Sequence, residues 1–181
     1  MLNCGFPCFI ILLILFIINF TETGLPEPIL KTSPKALLLI NDKIKKKIKK
    51  IKLIATDVDG VLTDGGMYYS SKGDTLKKFQ AIDGMAVSIL KRNTIPTVII
   101  TKERNQIVKQ WSSKMNIDRL FDGIKNKEKI VPKLCKLYSL SENNIAYIGD
   151  DVNDLEILKR VGFSITPKDG NLEVKKIVDC I

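Results

Sequence analysis

From residue 52 onward, short apolar runs alternate with longer amphipathic stretches. The runs occupy 52–58, 97–101, 145–148 and 163–165, with a weaker one at 119–121. The amphipathic patterns occupy 84–91, 104–115, 128–138 and 151–160. A short, wholly apolar run suits a strand covered on both faces, and the longer stretches have the spacing of helices with one buried side. Strand and helix taking turns predicts a parallel sheet joined by right-handed crossovers. The fold class is therefore α/β: a three-layer, Rossmann-like parallel sheet with helices on both faces. One stretch breaks the rhythm. Residues 67–70 and 74–79, joined by Ser71-Lys72-Gly73, read as a β-hairpin inserted after the first strand. No internal repeat is visible.

Ahead of this domain the pattern differs. Residues 5–20 are apolar except for Pro7 and Asn19. As a helix they would reach about 24 Å, short of the roughly 30 Å hydrocarbon core of a bilayer. No Lys or Arg precedes them and no small-residue cleavage site follows, so they make a poor signal peptide. Three readings stand level: a weak membrane anchor, a signal-like segment, or an extension without function. Leu25-Pro26-Glu27-Pro28 reads as a linker. A helix from Ser33 or Pro34 to about residue 50 sets Ile40, Ile44, Ile48 and Ile51 on one face and Lys on the rest. That helix either meets anionic lipid or nucleic acid, or leans its Ile stripe on the domain, and the second reading is preferred. The chain thus divides into a hydrophobic segment and linker (1–29), a basic amphipathic helix (30–51) and a catalytic domain (52–181).

Composition narrows the chemistry. A net charge of +9 on 181 residues is unevenly spread: nine Lys and three acids fall in 1–52, twenty Lys or Arg and seventeen acids in 53–181. The domain itself is not built to coat nucleic acid, and no nucleic-acid partner is expected. Without His there can be no Ser-His-Asp triad and no His-based zinc site. Cys4, Cys8, Cys135 and Cys180 form no C-x-x-C pair and no disulfide framework, which favours a reducing, cytoplasmic setting. No phosphate-binding G-x-x-x-x-G-K-[ST] run occurs. Hydrolytic chemistry has to come from carboxylates, Lys, hydroxyls and a metal.

In open parallel sheets ligands bind beyond the carboxyl ends of the strands, where the reactive residues of this chain collect. Asp57 and Asp59 end the first run, Thr101 the second, and Lys127 follows the weak one. Asp150, Asp151 and Asp154 follow 145–149. Gly60, Gly65 and Gly149 supply the turns. Several carboxylates at one sheet edge repel one another unless a cation relieves them. Oxygen-only ligands select a hard ion, and Mg2+ is the natural fit. Asp57 is then placed to attack phosphorus as an ionised carboxylate, and Asp59 to protonate the leaving alkoxide and later deprotonate water. Lys127 and the Thr101 hydroxyl are the expected donors to the phosphoryl oxygens.

These residues resemble the four motifs of the haloacid dehalogenase-like phosphatases. The matches are Asp57-Val58-Asp59-Gly60-Val61-Leu62-Thr63-Asp64, Thr101, Lys127 and Gly149-Asp150-Asp151-Val152-Asn153-Asp154. Within that family the likeness is to the 3-deoxy-D-manno-octulosonate 8-phosphate phosphatases and their nonulosonate (acylneuraminate) 9-phosphate relatives. It is carried by Gly65-Gly66-Met67-Tyr68-Tyr69, Gly73-Asp74, Lys78-Phe79 and Asp83-Gly84. The resemblance implies a Mg2+-dependent phosphatase of an acidic sugar phosphate in lipopolysaccharide or nucleotide-sugar precursor synthesis. It implies metal ligation by Asp57, the Asp59 backbone carbonyl and Asp150, supported by Asp151 or Asp154. It implies substrate contacts from Gln80, Ala81, Ile82, Asp83, Gly84, Lys127 and Asn153. It also implies no large cap domain, and a homotetramer in which a neighbour's hairpin helps to close each site.

Three departures bear on substrate. Where the octulosonate enzymes usually carry Arg, this chain has Ser88, Glu103 and Trp111, and fewer cations should weaken the grip on an acidic sugar. Glu103 resembles the nonulosonate branch instead, with Arg104 replacing part of the lost charge. An Arg restored at Trp111 is expected to improve use of an octulosonate phosphate. The family's Gly-Gly-x-Gly-Ala-x-Arg-Glu tail, which helps to fill the site, has no counterpart up to Ile181, a departure that bears on substrate identity and, to a lesser degree, on full activity. The rival in another class is a silent relative that serves as an assembly or membrane-associated module. Intact Asp57 and Asp59 argue against it. A nucleic-acid binder working through the lysines of 43–52 is opposed by the lack of aromatics among them.

Overall fold

The computed structural model describes residues 42–181. In chain order its elements are α1 (Asp42–Ile48), β1 (Leu53–Thr56), the hairpin strands β2 (Tyr68–Ser70) and β3 (Gly73–Leu76), α2 (Ala81–Arg92), β4 (Thr97–Ile100), α3 (Gln106–Lys114), β5 (Arg119–Phe121), α4 (Val131–Tyr138), β6 (Ile145–Ile148), α5 (Leu155–Arg160), β7 (Phe163–Ile165) and α6 (Leu172–Lys175).

Five strands form one parallel sheet in the order β5-β4-β1-β6-β7. Because successive strand residues face opposite sides, the sheet divides its own side chains between two cores. Ile54, Ile99, Ala146 and Ile148 pack with Val87, Leu90 and Val108 of α2 and α3. Leu53, Ala55, Val98, Ile100, Ile145 and Tyr147 pack with Val131, Leu134, Ile157, Leu158 and Val174 of α4, α5 and α6. Every residue of β1, β4 and β6 is buried, which explains why those runs are apolar throughout instead of alternating. The three-layer α/β reading holds.

The chain leaves central β1 for β4 on one side and later returns to β6 on the other, so the order reverses at the carboxyl end of β1. That is where an open α/β sheet has its crevice. Asp57 stands one residue past β1.

Several expectations need adjustment. Helices expected over 128–138 and 151–160 each start as a 3-10 turn, Lys127–Ile130 and Val152–Asp154, before the α-helix proper. Pro132 sits in the first turn of α4, where its missing N–H costs nothing. The hairpin is shorter than expected, with a register shift between Tyr68 and Tyr69, and its base is closed by an isolated bridge between Thr63 and Phe79. Helix α6 and the bridge between Ile165 and Cys180 were not foreseen. A four-residue helix and a one-residue pairing carry too little periodicity to read.

The Ile stripe does lean on the domain: Ile48 and Ile51 are buried and Ile44 packs beside them. Lys47 of α1 reaches Asp179 at 2.5 Å. Ile40 and the rest of the helix expected from residue 33 lie outside the described residues, as does 5–20, for which a membrane anchor was one of three level readings. Among the described residues no helix is long and apolar enough to cross a membrane.

Candidate active site

The loop leaving β1 is wound tightly around one carbonyl. Val58 O accepts from the backbone N–H groups of Val61, Leu62 and Thr63 at 3.2, 2.8 and 3.1 Å. Leu62 is buried and anchors the loop in the core. Gly60 has φ +83°, and a Cβ there would lie 2.0 Å from Asp150 Oδ2, so the position requires glycine for both backbone and space. This close approach brings the Asp150 carboxylate against the Asp57 loop. Gly149 does the same for Asp154, whose Cγ would lie 2.5 Å from a Cβ at 149.

Asp57 is 5% exposed. Its Oδ1 accepts the Val58 N–H at 2.7 Å, and its Oδ2 lies 2.7 Å from Lys127 Nζ. The same ammonium lies 2.7 Å from Asp154 Oδ1, which also accepts the Tyr147 hydroxyl at 2.7 Å. Lys127, Asp154 and Tyr147 are all fully buried. Burial pushes the Asp57 carboxyl up to about 6; Lys127 opposes the rise and Asp154 adds to it. Burial, then Asp57 and Asp154, pushes Asp150 up to about 7. Burial first, and then Asp154, holds the Tyr147 phenol well above its ordinary range, so it remains a donor.

Three carboxylates crowd around a single buried ammonium here. Asp57, Asp150 and Asp154 offer ligand oxygens within 4.8 Å of one another. Asp150 Oδ1 is buried and has no hydrogen-bond partner, an uncommon state for a carboxylate oxygen. One lysine against three ionised carboxylates leaves an excess negative charge matched by a divalent cation. The donor set is oxygen only, and it fits Mg2+.

A cleft of about 290 Å³ opens over this cluster, lined by Asp57, Asp59, Gly60, Gly65, Thr101, Lys102, Glu103, Asp150, Asp151 and Asn153. The fold therefore brings Asp57, Asp59, Thr101, Asp150, Asp151 and Asn153 to one opening, with Lys127 and Asp154 beneath it. Thr101 is buried at the end of β4, and its hydroxyl accepts the Glu103 N–H at 3.4 Å. Asp151 is exposed and bound by Asn171 at 3.2 Å, so Asp154, not Asp151, completes the buried acidic cluster. Asp151 and Asp154 also form a capping box at the turn that opens α5.

Gln80, Ala81, Ile82, Asp83 and Gly84 do not line the cleft of this chain. Gln80, Ala81 and Ile82 are exposed at the start of α2. Asp83 is 3% exposed and burial pushes it up to about 7, while Gly84 is packed against the Met115 sulfur. The expected Arg positions also serve other ends. Ser88 bonds its own helix at Gly84 O, and Arg104 lies over Gly123. Trp111 stacks on Phe79, with ring centroids 4.6 Å apart, and fastens the hairpin base to α3. Of Ser88, Glu103 and Trp111, only Glu103 lines the cleft. Trp111→Arg is now expected to act on stability first, lowering unfolding free energy by about 2 kcal/mol in a denaturant titration.

Sequence reasoning missed two residues. Tyr147 is one of four buried residues of β6, and nothing in its run marks it as a buttress for Asp154. Lys77 lies in the hairpin base with its side chain fully buried, 2.5 Å from Asp59 Oδ1 and 3.7 Å from Glu103 Oε2. Leu76 and Lys78 are exposed while Lys77 and Phe79 face inward, an alternation that the residues Leu76-Lys77-Lys78-Phe79 do not announce.

Residues 87–181 match the model of the haloacid dehalogenase-like hydrolases. The chain belongs to that family. Among curated relatives, the 3-deoxy-D-manno-octulosonate 8-phosphate phosphatase of Escherichia coli is 32% identical over 125 residues, 69% of this chain and 66% of that protein. The chain thus spans just under two thirds of the length of that relative. The corresponding Haemophilus influenzae protein is 32% identical over 136 residues, 75% of this chain and 76% of its own. Among solved structures, the 3-deoxy-D-manno-octulosonate 8-phosphate phosphatase of Moraxella catarrhalis in complex with magnesium, phosphate and KDO superposes with a TM-score of 0.75. It is 33% identical and covers 78% of this chain and 82% of that one. As a haloacid dehalogenase-like hydrolase, the chain carries its acidic cluster on the sheet architecture of these relatives.

The raised carboxyls of this hydrolase have a consequence for pH. A folded-state value of about 6 or about 7 against an ordinary 3.8 means that ionising Asp57 and Asp150 opposes folding, and the penalty builds as pH rises through those values. Their contribution should make the metal-free protein less stable at about pH 8 than at about pH 5, with Mg2+ raising the melting temperature more at the higher pH. Thermal melts with and without Mg2+ at both pH values test this, and Asp150→Asn should flatten the difference.

Proposed function

We propose that this chain is a Mg2+-dependent phosphomonoesterase acting on an acidic sugar phosphate of the 3-deoxy-D-manno-octulosonate 8-phosphate type. The observation that carries the reading is Asp57 at the end of the central strand. It is held by Val58 N–H and Lys127 beside the unpartnered Asp150 oxygen, at the floor of an open cleft. Asp57, Asp150 and the Asp59 backbone carbonyl would hold the metal, with Asp154 buttressing from below and Asp151 at the rim. Bound Mg2+ supplies Lewis-acid polarisation of a phosphoryl oxygen and offsets the charge of the carboxylates.

A carboxylate oxygen of Asp57 attacks phosphorus, and the P–O bond to the sugar breaks. The electron pair of that bond goes to the sugar oxygen, which takes the proton of the Asp59 carboxyl. Lys127 and the Thr101 hydroxyl donate to the equatorial oxygens as charge spreads over them. Asp59, now a carboxylate, takes a proton from water, which attacks the aspartyl-phosphate. Inorganic phosphate leaves and the Asp57 carboxylate is restored.

Glu103 at the cleft wall favours a second substrate reading, a nonulosonate or N-acylneuraminate 9-phosphate, because an acceptor replaces the cation expected for octulosonate. The assembly in this reading is a homotetramer. Met67, Tyr68, Tyr69 and Leu76 expose large apolar surface on the hairpin, which supports a neighbouring copy as its cover. Phosphate release from eight- and nine-carbon sugar-acid phosphates, with and without Mg2+, is the deciding test. Mg2+-dependent turnover of one of them is expected. No turnover of any phosphomonoester would overturn the reading in favour of a silent module.

A further inference from the structure

Lys77 is the one residue of the hairpin base whose environment contradicts its position in a surface ribbon. Leu76 and Lys78 point outward, and Lys77 shares the inward phase with Phe79, where an apolar side chain would be the ordinary choice. Burying an ammonium is costly unless carboxylates receive it. Here two residues of the cleft wall do so, Asp59 Oδ1 at 2.5 Å and Glu103 Oε2 at 3.7 Å. The chain just after the lysine is also held. The Thr63–Phe79 bridge and the Phe79–Trp111 stack fix the backbone two residues on, and the exposed Lys78 pairs with Asp64 on the outer face.

We propose that Lys77 is a positioning residue that aims the Asp59 carboxyl group at the leaving oxygen and ties it to Glu103 across the mouth of the cleft. This rests on the phosphatase reading above. Lys77 engages one Asp59 oxygen, Oδ1, which leaves the other for proton exchange with the leaving group and then with water. Without the lysine, Asp59 loses its fixed rotamer while Asp57, Lys127 and the metal cluster remain intact. The proton-transfer step should therefore suffer and the attack on phosphorus should not.

Leaving groups separate those two steps. p-Nitrophenolate departs without a proton near neutral pH, whereas a sugar alkoxide needs one. Lys77→Met should lower kcat/KM for 3-deoxy-D-manno-octulosonate 8-phosphate by roughly tenfold to hundredfold and change that for p-nitrophenyl phosphate less than about threefold. In an Asp59→Asn background, Lys77→Met should cost nothing further on the sugar phosphate, because it acts through the side chain already lost. Equal losses on both esters, or losses that add in the double variant, would reduce Lys77 to a structural ion pair and overturn the proposal. Should Lys77→Met fail to fold by circular dichroism, Lys77→Arg keeps the charge but displaces the donor, and the same selective loss is expected of it. A wild-type protein that hydrolyses neither ester overturns the phosphatase reading and this proposal with it. Wild-type turnover with unselective losses overturns this proposal alone.

Discussion

Asp57→Asn should abolish turnover, by roughly 10⁴-fold or more in kcat, and leave the fold standing. The exchange keeps the side-chain volume and the acceptor for Val58 N–H, but it removes the anionic oxygen that attacks phosphorus. Stability should hold because Asp57 is one of three crowded carboxylates, and burial already disfavours its charge. Lys127 keeps Asp154 as its partner. Single-turnover assays should find no phosphoryl-enzyme, and thermal melts at about pH 8 without metal should match or exceed the wild type. Appreciable activity in a pure preparation would assign the nucleophile elsewhere.

Lys127→Met should do the reverse and damage both function and fold. The ammonium is 1% exposed and sits 2.7 Å from each of two buried carboxylates. Removing one partner of a buried charge cluster leaves the others uncompensated, at a cost of about 3–5 kcal/mol. The loss should be greater at about pH 8 than at about pH 5, since protonation relieves Asp57 at the lower value. Urea midpoints at the two pH values measure it, and a loss independent of pH would mean that packing and not charge is at stake. Activity should fall by roughly 10²–10³-fold from the missing donor to the phosphoryl oxygens.

Much of this site was legible because the fold class determines where strand ends meet. Asp57, Thr101 and Asp150 each stand just past a buried apolar run, and in a parallel sheet those ends share one edge whatever the details of packing. Gly60 and Gly149 could be read as turn residues, although only in the folded chain do carboxylates occupy the space their missing side chains leave. The segment 80–84 was placed in the site by resemblance. It does not line the cleft of its own chain: Gln80, Ala81 and Ile82 are exposed, and Asp83 and Gly84 are buried at the start of α2. Trp111 stands where the octulosonate enzymes usually carry Arg, and the tertiary structure stacks it on Phe79 at the hairpin base.

What the sequence determined alone was the order of strands and helices and the set of carboxylates at one end of the sheet. Both follow from local periodicity and from the rule that parallel strands end together. What the tertiary structure decided was which charges face one another. Lys127 between Asp57 and Asp154, Tyr147 beneath them and Lys77 against Asp59 are pairings across 7 to 70 residues of sequence. Coulomb and hydrogen-bond energies depend on separations of a few ångströms in space, and distance along the chain carries no record of them.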